Sequence, residues 1–286
     1  MVAESILFLI VLVALLIGSY TDFRVREVPD WLNYGLIFVG FGLRIIFSLV
    51  YHDADFIIHG LLGFGAFFVI ALVMFYAGQW GGGDSKMVMG LGALIGLELS
   101  LYSFLIAFII NIVICGALFG LLFSVYLAVA NFKAFSKEFN RRFAEKKKVK
   151  WLVWIGTLAL LALSVFVPFA IKIPVVVLAG ILLLSFYVFI YLKAVENSCM
   201  IKWVEPELLT EGDWVVEDVV VNKKRICGPK DLGLEMSQIK KLIRLKKTGK
   251  IKKVLIKYGI PFVPSFLIAF IVTYVWGNIV FAMLSI

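Results

Sequence analysis

Cysteine and histidine are scarce in this 286-residue chain, and charge is scarcer than in an ordinary domain. The three cysteines, Cys115, Cys199 and Cys227, lie far apart with no CxxC pair, which indicates neither a zinc site nor a disulfide framework. With only His52 and His59, a histidine-based triad or a multi-histidine metal centre is excluded as a working idea. No metal ligand set and no cofactor-binding motif is recognisable. Charged residues make up 16% of the chain, against 62% hydrophobic residues and a mean hydropathy of +1.02. Globular chains carry roughly 45–50% apolar residues, and no soluble core could hide the excess. The composition therefore excludes a cytosolic enzyme, a disordered tail and a disulfide-stapled secreted domain.

What is present is a series of long apolar runs, at 5–21, 31–50, 57–77, 101–130, 151–171, 174–193 and 260–283. A shorter run, 87–99, follows a glycine-rich turn. The first run has no basic segment before it and no small-residue cleavage pattern after it, so it reads as a retained helix rather than a signal peptide. Lysine and arginine placement sets the orientation, since positive flanks stay in the cytoplasm. If 87–99 counts as a span, Arg24, Arg26, Lys86, the basic block 133–150 and everything from Lys193 to Lys257 fall on one side. Only Arg44 and Lys172 remain near the other. Without that span the basic blocks would fall on opposite faces. The expected fold is an all-α polytopic membrane protein of about eight transmembrane helices with its amino terminus outside and a small cytoplasmic α+β insert before the last helix.

Five segments follow from this pattern: 1–130 as an amino-terminal membrane domain, 131–150 as a basic cytoplasmic amphipathic loop, 151–193 as a helix pair, 194–257 as a basic cytoplasmic insert and 258–286 as the last membrane helix. In 131–150 the aromatic residues Phe132, Phe135, Phe139 and Phe143 form a stripe beside a charged face. This suits an interfacial helix on anionic lipid. Within the insert, WVVEDVVV reads as a buried strand, CGPKDLG as turns, and Ser237 as the cap of a helix SQIKKLIRL. The lysine-rich run 240–257 could meet nucleic acid, but its place against a membrane span favours anionic lipid headgroups and no nucleic acid.

In such a chain an ionisable residue at the end of an apolar span is a functional candidate. Asp22 ends the first span and Asp84 opens the short one, and with the topology above both lie at cytoplasmic helix ends. Gly81, Gly82 and Gly83 carry no Cβ and can adopt positive φ, which permits close approach of a neighbour or an extended peptide. Alone, this stretch is also a plain turn with Asp84 as helix cap. Lys86 is either a group that acts on a nearby carboxylate or on substrate backbone, or a lysine snorkelling to the interface. Asp30, after Pro29, is placed to cap the second span. Two carboxylates that share a proton can hydrolyse a peptide without a nucleophilic side chain or a metal. A transporter using the same aspartates for protons or cations is the alternative. Against it, both acids lie near one face and no inverted repeat is visible.

Asp22 in TDFRVREVPDWLN and the later GGGDSKMVMGLGALIG resemble the archaeal prepilin and preflagellin peptidases, relatives of the bacterial type IV prepilin peptidases. Asp22 matches the family's first catalytic aspartate, and Gly81–Asp84 match its GxGD motif with Gly82 at the variable position. The resemblance covers roughly residues 5–100. It implies a multi-pass cell-membrane aspartic endopeptidase, active site facing the cytoplasm, that removes the short basic leader of pilin-like or archaellin precursors. The cysteine cluster of many bacterial members is missing, so the resemblance does not extend to methyl transfer.

Overall fold

A computed structural model describes residues 2–100 and 102–284. Residue 101, where one expected span begins, and residues 285–286 of the last lie outside the described residues. The chain is an all-α polytopic membrane protein with a small strand-containing insert. Its helices are α1 (Val2–Val25), α2 (Asp30–Tyr51), α3 (Asp55–Tyr76), α4 (Gly82–Ile95), α5 (Phe104–Ala130), α6 (Phe132–Glu145), α7 (Lys147–Phe166), α8 (Phe169–Val195), α9 (Met236–Lys247), α10 (Val263–Trp276) and α11 (Ile279–Leu284). Among the described residues, six helices are long and apolar enough to cross a bilayer, namely α1, α2, α3, α5, α7 and α8. The two remaining apolar runs fold as the 14-residue helices α4 and α10. The carboxy-terminal run breaks at Gly277, whose φ of 66° suits a residue without a Cβ.

The chain divides into two compact units. The first contains residues 1–122, 232–235 and 259–286. Its core includes Leu7, Val11 and Leu15 of α1, Phe67 of α3, Phe108 of α5 and Phe266 of α10, around Val88, Leu91 and Leu94 of α4. Helix α4 is sheathed on nearly every side, and glycines make this possible. A Cβ on Gly63 of α3 would collide with the Gly92 carbonyl oxygen, and one on Gly90 would lie 2.6 Å from the Leu36 Cβ of α2. At 1.5 Å per residue α4 is only about 21 Å long. Its last carbonyls are met by Arg44 of α2, buried at 4% exposure, which donates from Nε to Ala93 O (2.6 Å) and from Nη2 to Leu94 O (2.8 Å). Nη1 donates to Phe56 O at 2.7 Å. One guanidinium thus supplies donors that lipid cannot. Asn111 of α5 has a similar office, donating to Thr273 Oγ1 and Gly277 O and accepting from Ile279 N–H, so that one amide joins α10 to α11.

The second unit contains residues 123–231 and 236–258. Here α6 places Phe135 against Tyr191 and Phe143 against Tyr187 of α8, with centroids 5.6 and 6.1 Å apart, so these rings of the expected aromatic stripe meet a helix of the same unit. A π turn, Glu196–Met200, leads from α8 into β1 (Ile201–Val204). Strand β5 (Val254–Lys257) runs antiparallel between β1 and β2 (Trp214–Val215), and β3 (Val219–Val221) pairs with β4 (Lys224–Cys227) across Asn222 and Lys223, both at positive φ. This two-residue turn matches the right-handed strand twist.

Two readings of the insert need correction. WVVEDVVV is not one buried strand but β2 and β3, in different sheets, with Val220 exposed; the chain bends at Val216–Glu217, and Asp218, the next residue, accepts from Arg225 at 2.8 Å. Helix α9 starts at Met236, so Ser237 lies inside its first turn and is not the cap. The CGPKDLG turn is present, closed by Gly228 N–H donating to Asp231 Oδ2 at 2.9 Å.

Candidate active site

The site is built from three helix ends of the first unit. Asp22 sits in the last turn of α1 and is 5% exposed. It is buried without being unpaired: Oδ2 accepts from the Val263 backbone N–H at 2.9 Å. Val263 is the first residue of α10, one of the positions whose N–H has no partner within its own helix. A carboxylate is the group that the positive end of a helix holds best.

Asp84 arrives by a different route. The chain leaves α3 through a turn in which Gly78 takes φ 66°, then runs extended through Gly81 (ψ 168°) into α4. Asp84 is the third residue of α4, and its Oδ2 accepts from the Gly81 N–H at 3.0 Å. It therefore reaches back to the turn from within the first helical turn, where a cap residue would have preceded the helix. The positive φ that the turn needs is at Gly78. Gly81–Gly83 do not use it.

The missing Cβ of Gly18 brings the three elements together. A methyl there would lie 2.7 Å from Met87 Cε and 3.2 Å from Val263 Cγ1, so α1, α4 and α10 meet at this level. Asp22 is one turn beyond Gly18, and Asp84 is three residues before Met87. Both carboxyl groups consequently lie beside the same three-helix contact, and the charge of Asp22 acts on Asp84.

Gly81 and Gly82 are exposed, and a Cβ on Gly82 would find only Phe75 Cε2, at 4.0 Å. Gly83 is packed on Val28, 3.4 Å from its Cβ position. The Lys86 side chain turns to α2, with Nζ 2.7 Å from Asp30 Oδ1 and 5.2 Å from the Tyr34 ring centroid. Asp30 itself is the first residue of α2, and Pro29 occupies the cap position with no side-chain hydrogen bond. Proline's fixed φ places it there, leaving the Asp30 carboxylate for Lys86.

Sequence reasoning missed the contribution of α10. The run Pro261-Phe262-Val263-Pro264 carried the signal, since proline near a helix start marks an amino-terminal end. It also missed Arg44, although a lone arginine inside an apolar run is a flag in itself. Among the described residues no three His, Cys, Asp or Glu side chains gather as metal ligands. A cavity of about 310 Å³, lined by Glu4, Arg44, His59, Glu98 and Ser103, lies at the far ends of α1 and α4 and reaches neither aspartate.

Residues 9–121 match the model of the type IV leader peptidase family. Over 88 residues the chain is 36% identical to the preflagellin peptidase of Methanocaldococcus jannaschii, a stretch covering 31% of this chain and 37% of that protein. The preflagellin peptidase of Methanococcus maripaludis is 38% identical over 88 residues, covering 31% and 38%, and that of Methanococcus voltae 37% over 90 residues, covering 32% and 38%. The chain thus spans little more than a third of the length of these relatives. No solved structure matches it. Over residues 9–121, which hold Asp22 and the Gly81–Asp84 turn, this chain is similar to the type IV leader peptidase family and to the archaeal preflagellin peptidases.

Proposed function

We propose that the protein is a membrane aspartic endopeptidase that removes the short basic leader of archaellin or pilin-like precursors at the cytoplasmic membrane face. The observation that carries this reading is the convergence of Asp22 and Asp84 at one three-helix contact inside the family-matching region. In the proposed reaction the two carboxyl groups share one proton. The ionised member takes a proton from water as its oxygen attacks the scissile carbonyl carbon, and the protonated member donates to the carbonyl oxygen. Collapse of the tetrahedral intermediate breaks the C–N bond: the proton taken from water goes to the leaving amine, and one hydroxyl of the intermediate returns its proton to the second carboxylate, which restores the shared-proton pair.

The exposed, Cβ-free stretch Gly81–Gly82 is the surface on which an extended peptide would lie closest to Asp84, and Gly83 sets its backbone against Val28. Lys86 would act as a positioning residue that sets α4 against α2, with its ammonium over the Tyr34 ring and the exposed Asp30 pair a minor addition. On this reading residues 1–130 hold the chemistry, while 131–150 and the insert 194–257 face the cytoplasm with their basic residues toward anionic lipid. Purified protein in detergent or liposomes, incubated with a leader-bearing precursor, is expected to yield a product shortened at the junction of leader and hydrophobic helix. An uncut precursor, with ion flux through the same liposomes, would instead establish the proton or cation transporter.

A further inference from the structure

Arg26, the residue that follows α1, stands at φ 58°, and its N–H closes the helix by donating to Asp22 O at 2.9 Å. Helices often end in this left-handed conformation, and the residue that adopts it without strain is glycine. Here an arginine is held in it. A conformation of this kind persists where the surrounding structure holds it. The Arg26 guanidinium donates from Nη1 to Gly259 O at 3.3 Å, and its charge also acts on Asp22. Gly259 opens the non-helical stretch 259–262 that leads into α10, whose first N–H is bound to Asp22.

Two bonds, Arg26 to Gly259 and Val263 to Asp22, therefore fasten one stretch of chain across the end of α1. The 233-residue sequence separation of the first shows that the carboxy-terminal helix is tied back to the first one. The family match ends at residue 121, so the partner that holds Asp22 comes from outside it. We propose that Arg26 is a positioning residue: it anchors the 259–262 segment so that the Val263 N–H keeps the Asp22 carboxyl in its working orientation beside Asp84. This rests on the peptidase reading above.

Arg26→Gly separates this role from a merely structural one, because the substitution relieves the backbone while removing the anchor. The expected result is an unchanged or raised melting temperature together with a fall of about tenfold in kcat, the order of one charge-assisted hydrogen bond. KM should stay close to the wild-type value, and Arg26→Lys should recover part of the loss. A second measurement needs no activity. Ile260→Cys, labelled with a thiol reagent, should react faster in the Arg26→Gly background and slow again in the Arg26→Lys background. If wild-type protein fails to cut a precursor, the peptidase reading falls while labelling still judges the anchor. Arg26→Gly protein that cuts at the wild-type rate, or labels at it, overturns the proposal.

Discussion

Helices α4 and α6 have the same length, 14 residues, and almost nothing else in common. In α4 nine residues from Ser85 to Ile95 are buried; in α6 none is. The first carries two charges, Asp84 and Lys86, both at its opening turn, and is held by what surrounds it: glycine contacts on α2 and α3, and Arg44 on its final carbonyls. The second is held partly by itself. Glu138 pairs with Arg141 at 2.6 Å and with Arg142 at 2.9 Å, and Arg141 pairs with Glu145 at 2.7 Å, all at i,i+3 or i,i+4 spacing. A helix of this length is marginal alone. One is stabilised by tertiary fit and the other by local charge, so the same kind of substitution should have very different consequences in each.

The largest effect is expected at the proposed catalytic pair, one member of which α4 carries. Asp84→Asn or Asp22→Asn keeps side-chain shape and removes the titrating group, so cleavage of a precursor should fall by about 10³-fold or more while thermal unfolding stays close to wild type. Wild-type turnover in either variant would remove that aspartate from the pair.

Next is the sheath of α4. Arg44→Met leaves the carbonyls of Ala93 and Leu94 without their donor, at about 1–3 kcal/mol for each buried group left unsatisfied, and removes the bond to Phe56 O as well. A large fall in melting temperature should follow, and Arg44→Lys, with a single ammonium, should recover only part of it. If both variants melt as wild type, Arg44 is not what ends α4.

The α6 network should give a smaller, pH-dependent effect. Its Arg141 hydrogen bond, with help from Asn197 and Arg142, holds the Glu138 carboxyl down at about 2, below its ordinary value of 4.5. A depressed carboxyl stabilises the fold above its unfolded value, and that contribution is lost as pH falls from about 4.5 toward 2. Amide exchange in α6, corrected for its intrinsic pH dependence, should therefore rise over that window. The rise should be absent in Glu138→Gln, whose α6 is already loosened.

The smallest effect belongs to Asp30→Asn. It removes an exposed pair with Lys86, which is expected to change stability by at most about 1 kcal/mol and to leave turnover largely intact. An inactive Asp30→Asn beside an active Asp22→Asn would move the catalytic pair.

The same contrast explains what could be read before any coordinates. Long apolar runs are one-dimensional signals, so α1, α2, α3, α5, α7 and α8 were legible, and charge parity added α4. Asp22 and Asp84 were legible because a carboxylate beside an apolar run stands out. The Val263 N–H has no side-chain signature at all, and its role depends on an element 241 residues from Asp22. Residues 214–221 were misread because hydrophobic strand residues do not announce where a strand changes sheets. Asp30 failed as a cap because proline took the place first.

The Arg44 clamp also bears on how the protein is made. A 14-residue helix whose last carbonyls depend on another helix cannot settle in lipid as an independent unit. Arg44 lies on α2, and the third carbonyl it binds, that of Phe56, lies at the start of α3; the α2–α3 hairpin is therefore the receptor into which α4 docks. Asp84 rides at the leading end of α4, so the proposed protease would gain its second carboxyl group only after the hairpin has closed, and the nascent chain would be proteolytically silent until then. Limited proteolysis of stalled chains should find α4 protected in the wild type and open in Arg44→Ala, and equal protection in both would refute that order of assembly.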